Sequence, residues 1–211
     1  MPLDTAVYPV NLVVDGRRCL VVGGGAVATG KVRNLRAAGA IVHVVAPEIC
    51  DEIAAMADVT VERRRYRQGE VAGYRLAIAA TGDPAVNGAV FSDGEAAGVW
   101  VNSADDPARC AFTLPSVVRQ GALTVTVSTG GHSPALSRWL ADRFERAIGP
   151  EYSVLVDLLS AERRAAKAAG RSTEDLDWQK ALDSDMLALI KAGQIQQARE
   201  RLQACLSSSS A

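Results

Sequence analysis

The chain has 211 residues, of which 48% are hydrophobic and 22% are charged, and this composition suits a globular protein with a sizeable core. Its 23 basic and 24 acidic residues give a net charge of −1, and no long block carries a single sign. This balance argues against a protein that binds nucleic acid or a membrane surface through bulk charge.

The four cysteines and the first residues bear on the cellular location. The cysteines are far apart, with no CxxC motif and no histidine at zinc-like spacing, so they are expected to be small core residues. The start lacks the basic and apolar regions of a signal peptide, and no apolar stretch of about 18 residues is present to span a bilayer. We therefore expect a reduced, cytoplasmic protein with no membrane partner.

The first half of the chain alternates short apolar runs with helical patterns. Strands are predicted at Cys19–Val22, Ile41–Val45, Val59–Glu62, Leu76–Ala80 and Val99–Asn102. Helices are predicted between them at Ala26–Ala38, Cys50–Ala57 and Ala85–Ala97. Apolar strands of this length separated by helices are typical of parallel βαβ units that are buried on both faces. Residues 1–113 are therefore predicted to form a Rossmann-like, doubly wound parallel α/β domain.

The pattern changes after Pro107. Strands are predicted at Phe112–Pro115 and Leu123–Ser128, and helices at Ala135–Ala147 and Tyr152–Ala169, followed by two shorter helices up to Leu206. This gives a small α+β segment at 114–149, a C-terminal helical domain at 150–206 and a disordered polar tail at 207–211.

A glycine motif, Gly23-x-Gly25-x-x-Ala28, follows the first predicted strand and opens the first helix. Gly23 permits a tight turn, Gly25 lets backbone amides approach a pyrophosphate, and Ala28 lets the helix pack on the sheet. The anion is expected at the helix N-terminus, beside Ala26 and Val27. Two alternatives stay open. One is a structural turn without a ligand, and the other is an NTPase phosphate loop, although Val32 stands where that loop needs Ser or Thr.

Two further segments are candidates for binding the adenosine half of a dinucleotide. Pro47 and Glu48 follow the second strand, where Glu48 can reach the ribose or simply be a solvated helix residue. No arginine closely follows this strand, which favours NAD over NADP. Thr81 and Asp83 end the fourth strand, where a Rossmann fold closes over the adenosine, and a plain turn is the alternative.

The loop Ser128-Thr129-Gly130-Gly131 precedes the helix that begins near Pro134. It offers amides and hydroxyls to an anion, and Arg109, Arg119 or Arg138 can add charge.

A combination of motifs resembles the precorrin-2 dehydrogenase / sirohydrochlorin ferrochelatase family, which also forms the N-terminal module of siroheme synthase. The resemblance covers roughly Val7–Leu140, and it is to the short, stand-alone form of the family. It rests on Tyr8–Leu12, Val22–Ala28 with Lys31, Val45–Pro47, Ala79–Thr81 with Asp83 and Asn87, Val101-Asn102-x-x-Asp105, Phe112-x-x-Pro115-Ser116, and Val127–Gly131 with Ser133, Pro134 and Leu136.

The resemblance implies NAD-dependent removal of two hydrogens from precorrin-2 to give sirohydrochlorin, in some members followed by insertion of ferrous iron. It also implies a homodimer in which the 114–149 segment makes the subunit contacts. Asp105 matches the principal active-site aspartate and is the predicted catalytic residue. Asn102 and the Ser128, Thr129, Gly130 and Gly131 loop, with Arg138, are predicted to bind the carboxylate-rich substrate.

With only His43 and His132 in the chain, a preformed metal site is not expected, and any chelation is expected to use Asp105 and the nitrogens of the macrocycle. His43 is expected to be packed within a strand and His132 to lie on the surface. One rival function is a non-catalytic module that senses NAD or NADH. Another is a small-metabolite dehydrogenase, for which no convincing His or Lys catalyst is found.

Overall fold

The structure, a computed structural model, describes residues 6–104 and 106–207. The chain divides into two compact units. The first comprises the chain up to Leu114 together with Thr129–Ser133, and the second comprises Pro115–Ser128 together with the chain from Pro134 onward. The separate roles predicted for 114–149 and 150–206 stay predictions.

The first unit is built on a parallel sheet of five strands in the order β3-β2-β1-β4-β5. Its strands are β1 (Arg18–Val22), β2 (Ile41–Ala46), β3 (Thr60–Arg63), β4 (Leu76–Ala79) and β5 (Trp100–Ser103). Every residue of β4 and four of the five in β1 are buried, as expected for strands covered on both faces. The five predicted strands and the Rossmann-like class are confirmed.

Helices cover the two faces of this sheet. On one face, α1 (Ala26–Ala37) buries Ala28, Val32 and Leu35 beside the short helix α2 (Asp51–Ala54). On the other face, α3 (Pro84–Ala97) buries Val90 against β4 and β5. Because α1 leaves β1 on one face and α3 leaves β4 on the other, the strand order reverses between β1 and β4. In open α/β sheets, ligands bind at the carboxyl ends of the strands beside such a point.

The second unit contains a hairpin and the C-terminal helices. The antiparallel hairpin pairs β6 (Ser116–Gln120) with β7 (Leu123–Val127). The helices are α4 (Pro134–Ala147), α5 (Glu151–Ala168), α6 (Trp178–Leu182), α7 (Met186–Lys191) and α8 (Ile195–Ser207). The last four share a core that includes Leu158, Met186 and Leu202. Residues 208–211 of the predicted tail lie outside the described residues, and Ser207 ends α8.

Two predicted elements are wrong in this region. Residues 112–115 form no strand, because Phe112 packs into the core of the first unit and its carbonyl accepts a hydrogen bond from Asn102. The strand begins instead at Ser116, where it can pair with Val127. Between Thr173 and Leu206 there are three helices rather than two, because the chain breaks after Leu182 and again at Gly193, which adopts a φ of +74°.

Among the described residues, no helix is both long enough and apolar enough to cross a bilayer.

Candidate dinucleotide site

The glycine loop joins β1 to α1 and lies tightly against its neighbours. Gly23 has a φ of +130°, and a Cβ placed there would lie 2.3 Å from the carbonyl oxygen of Ala80. A Cβ at Gly24 would lie 2.0 Å from the carbonyl oxygen of Glu48. Both positions therefore require glycine, since a side chain would collide with backbone atoms that cannot move away cheaply. The sequence motif marks Gly23 but not Gly24, whose constraint comes from a segment beyond β2.

Gly25 is different, because the space beside it is open. It is the N-cap of α1 with an ordinary φ of −92°, and nothing lies within 4 Å of a Cβ placed on it. No side chain caps the helix, so the first-turn amides, including those of Ala26 and Val27, have no intrahelical partner. Unpaired amides and the positive end of the helix dipole favour an anion here. The predicted pyrophosphate position therefore has both the space and the donors that the group needs.

A cavity of about 230 Å³ opens at the carboxyl edge of the sheet, where the strand order reverses. The ends of β1 and β2, the turns after β3 and β4, and the start of α3 line it. The lining residues are Val22, Val45, Ala46, Pro47, Arg65, Tyr66, Thr81, Gly82, Asp83 and Val86. Apolar side chains with a few polar groups at such an edge are typical of a nucleoside pocket.

The turn after β4 is held rigidly by α3. Asn87, which is 1% exposed, accepts hydrogen bonds from the backbone N–H of Thr81 at 3.2 Å and from its hydroxyl at 2.7 Å. The Asn87 amide donates in return to the Thr81 carbonyl at 3.1 Å. Asp83 caps α3 by accepting from the N–H of Ala85 at 2.9 Å. The two residues predicted to face adenosine are thus fixed in place, and Asn87 is the residue that fixes Thr81.

Pro47, Thr81 and Asp83 are lining residues that the sequence predicted to bind the cofactor, whereas Arg65, Tyr66 and Val86 are not among the residues that any sequence motif marked. Tyr66 is anchored to α3, because its hydroxyl donates to Asp93 at 2.7 Å, and burial raises the pKa of this phenol. Both Arg65 and Tyr66 follow β3. Since β3 lies beside β2 in the sheet, these residues lie close to the tip of β2 although many residues separate them from it in the sequence. An arginine is therefore near the tip of β2 after all, and it is contributed by the segment that follows β3 rather than by the residues that follow β2.

Glu48 is exposed, and it does not belong to the described residues that line the cavity. Its backbone packs against Gly24 instead. Its contact with a ribose stays a prediction.

The residues predicted to bind substrate fall in both units. Asn102 is 7% exposed, and its amide donates to the carbonyl of Phe112 at 2.9 Å, which holds residues 110–112 beside β5. Thr129, Gly130 and Gly131 belong to the first unit, where the Thr129 hydroxyl accepts from the N–H of Ser133 at 3.0 Å. Ser128 and the exposed Arg138, on α4, belong to the second unit. Asp105, the predicted catalytic residue, lies outside the described residues.

The structure also places three other polar residues. Arg109 donates to the carbonyl of Pro84 at 2.7 Å and pairs with Asp106 at 3.4 Å, so it holds its turn to the start of α3 rather than being free for a substrate carboxylate. His43 is buried, as expected, and bonds to Tyr74. His132 is exposed. Within the described part of the chain, no group of three His, Cys, Asp or Glu side chains could hold a metal ion.

Cys50 lies directly behind the glycine loop, with its N–H donating to the carbonyl of Gly24 at 2.9 Å. Its Sγ is 3.2 Å from the hydroxyl of Thr29, and this hydrogen bond lowers the pKa of the thiol. Burial raises the pKa of Cys19 to about 11. A lower pKa means a larger thiolate fraction at pH 7.5, and the thiolate is the form that reacts.

We expect iodoacetamide at pH 7.5 to alkylate Cys50 well before Cys19, with mass spectrometry of peptides as the measurement. Thr29→Val removes the hydroxyl and should slow the alkylation of Cys50 while leaving the alkylation rate of Cys19 unchanged. Equal rates at the two cysteines, or an unaffected Cys50 rate in Thr29→Val, would contradict this assignment.

Comparison with known proteins agrees with this geometry. A family model described as "Putative NAD(P)-binding" matches residues 10–116. The siroheme synthase of Nitrosococcus oceani is 38% identical over 203 residues, and that of Chromobacterium violaceum is 41% identical over 164 residues. These matches span 94% and 76% of this chain but only 43% and 35% of the relatives, so the chain spans less than half of their length.

A solved structure, SirC, precorrin-2 dehydrogenase, is similar over both units. The TM-score is 0.66 and the sequence identity 25%, and the match covers 96% of this chain and 98% of that chain. The similarity therefore includes the C-terminal helices, which the sequence motifs did not cover.

Proposed function

This chain belongs to the NAD(P)-binding family whose model matches residues 10–116, and from that premise we propose that it is a precorrin-2 dehydrogenase that uses NAD. The observation that carries the proposal is the match to SirC over 96% of the chain, because a nucleotide-binding domain alone would match only the first unit. The siroheme synthase relatives support the same substrate class. None of the four cysteines, all of them among the described residues, forms a disulfide, and this is consistent with a reducing, cytoplasmic setting.

The reaction removes two hydrogens from precorrin-2, so that precorrin-2 and NAD⁺ give sirohydrochlorin, NADH and a proton. NAD, when bound, accepts one of the two hydrogens as a hydride. The other leaves as a proton, for which Asp105 is the proposed acceptor. In the sequence, Asp105 comes two positions after Ser103, and Ser103 ends β5 at the same edge of the sheet as the glycine loop. Asn102 acts as a positioning residue in this proposal, because its bond to Phe112 ties the end of β5 to the following segment.

The substrate carries eight carboxylates, and a chain with a net charge of −1 needs local donors for them. The Thr129–Gly131 loop supplies backbone amides, with Gly130 and Gly131 at φ values of +59° and +81°. Ser128 and Arg138 are the proposed further donors. Arg138 is exposed and, among the described residues, makes no ion pair, so it is available to a carboxylate.

Insertion of ferrous iron is a proposed second step, with iron as the substrate. The described residues provide no cluster of three metal-binding side chains. The proposed route therefore uses the four nitrogens of the macrocycle as the ligands, with Asp105 accepting the two displaced N–H protons one at a time and releasing each to solvent.

We also expect a homodimer built through the second unit. Helix α4 keeps Leu136, Trp139 and Phe144 exposed, at 45%, 52% and 40%, which is unusual for large apolar side chains grouped on one helix. Light scattering should give twice the chain mass of 22.2 kDa, and Trp139→Glu should shift the protein toward monomer. A wild-type protein that stays monomeric at micromolar concentration would contradict the dimer.

Turnover tests the proposed function against its rival, a non-catalytic NAD-sensing module. The purified chain should convert precorrin-2 under anaerobic conditions only when NAD is present, as seen from the absorbance of sirohydrochlorin. NAD binding without conversion would favour the sensing module. Addition of ferrous iron to the product then tests the second step.

A further inference from the structure

The cavity at the carboxyl edge of the sheet has an unexpected charge on its wall. Arg65 lines it, two residues beyond Arg63, the position that pairs with Ala46 at the tip of β2. In Rossmann folds this tip is where the adenosine ribose lies, and the charge beside it decides which ribose is accepted. A carboxylate there binds the free 2′-hydroxyl of NAD, whereas an arginine accommodates the 2′-phosphate of NADP.

Arg65 differs from its neighbour Arg64 in the partners that each one has. Arg64 is held by two carboxylates, Glu62 at 2.5 Å and Glu70 at 2.7 Å, and these raise its pKa. Arg65 is exposed and makes no ion pair within residues 6–104 and 106–207. The Arg64 side chain also donates to the carbonyl of Arg65 at 3.1 Å, which fixes the backbone there. One guanidinium is thus neutralised and anchors the turn, and the other is left to a ligand.

The acidic groups near the cavity do not offset this charge. The one carboxylate among its described lining residues is Asp83, which already caps α3 through the N–H of Ala85. Glu48, the expected partner of the ribose, is absent from that lining. A phosphate on the ribose would therefore meet an available guanidinium, and charge-assisted bonds between arginine and phosphate are among the stronger hydrogen bonds in proteins.

We propose that Arg65 is the specificity-determining residue of the cofactor site, and that it lets the site bind the 2′-phosphate of NADP as well as NAD. This inference rests on the dinucleotide site of the proposed function but not on the identity of the substrate.

Calorimetric titrations with NAD⁺ and with NADP⁺ test the inference without any turnover. The wild-type chain should bind NADP⁺ with a Kd within about ten-fold of that for NAD⁺. Arg65→Ala should weaken NADP⁺ binding by about ten-fold to a hundred-fold, the range for a lost hydrogen bond to a charged group, and should change NAD⁺ binding by less than about three-fold. Arg65→Lys should recover part of the loss, because lysine keeps the positive charge but lacks the planar guanidinium that can donate two hydrogen bonds to a phosphate.

The matched control is Arg63→Ala, which removes the same charge from an exposed position on β3 outside the cavity lining. It should leave both affinities unchanged. An equal loss for both cofactors in Arg65→Ala, or no loss for either, would overturn the role of Arg65 while leaving the dinucleotide site standing. Failure of the wild-type chain to bind either cofactor would overturn the site itself, and the two failures are therefore distinguishable.

Discussion

Asp105→Asn should reduce the rate of sirohydrochlorin formation by about 100-fold or more, which is the usual contribution of a proton acceptor in the transition state. The amide has nearly the same size as the carboxylate but cannot take up the proton that leaves precorrin-2. The Kd for NAD should stay within about two-fold, because the amides and the cavity proposed to bind it involve other residues. The measurements are anaerobic turnover and an NAD titration on the same preparation.

Asp106→Asn is the matched control, since it makes the same change from carboxylate to amide at the next residue in the chain. Asp106 accepts from the N–H of Ala108 at 3.0 Å and pairs with Arg109 at 3.4 Å, so its contacts are structural. We expect a loss of less than about five-fold for this control. Full activity in Asp105→Asn would remove Asp105 from the mechanism and leave substrate positioning as the main source of catalysis.

Gly25→Asp should abolish measurable NAD binding and raise the Kd by about 100-fold or more, since juxtaposed like charges cost several kcal/mol. The substitution places a carboxylate at the N-cap of α1, where it accepts the amide hydrogens that the pyrophosphate would use. The fold should not suffer, because the space beside Gly25 is open, its φ is −92°, and Asp is a preferred N-cap residue. Thermal unfolding should therefore occur at an unchanged or slightly higher temperature.

Two further variants separate charge from bulk and from position. Gly25→Asn adds the same bulk without the charge and should weaken NAD binding less than Asp does. Gly30→Asp adds the same charge inside α1, at another position with nothing within 4 Å of a Cβ, and should leave NAD binding within about three-fold. Unchanged NAD binding in Gly25→Asp would show that the loop is a structural turn.

The sheet could be predicted from the sequence because its strands are buried on both faces and stand out as apolar runs. The hairpin was harder, since Phe112 and Leu114 read as strand residues although the chain there only crosses to the next element. The residues that pair, Ser116–Gln120 with Leu123–Val127, are marked mainly by the two-residue turn at Gly121 and Ala122. The short helices α6 and α7 are too brief for their boundaries to be read from periodicity.

The candidate site was predictable where its chemistry is local. Gly23, Gly25 and the Thr81–Asp83 turn stand directly after strands, so their place at one edge of the sheet follows from the fold class. Gly24 and Arg65 could not be found this way, because each acts through a segment distant in sequence. Glu48 approaches Gly24 from beyond β2, and strand order alone brings Arg65 to the tip of β2.

The most direct test of the account is the stoichiometry of the reaction in the absence of oxygen. Precorrin-2 and NAD⁺ are mixed with the purified chain, and NADH and sirohydrochlorin are followed together by absorbance. We expect the two products to appear in equal amounts and at equal rates. Sirohydrochlorin formed without NADH, or no sirohydrochlorin despite bound NAD, would contradict it.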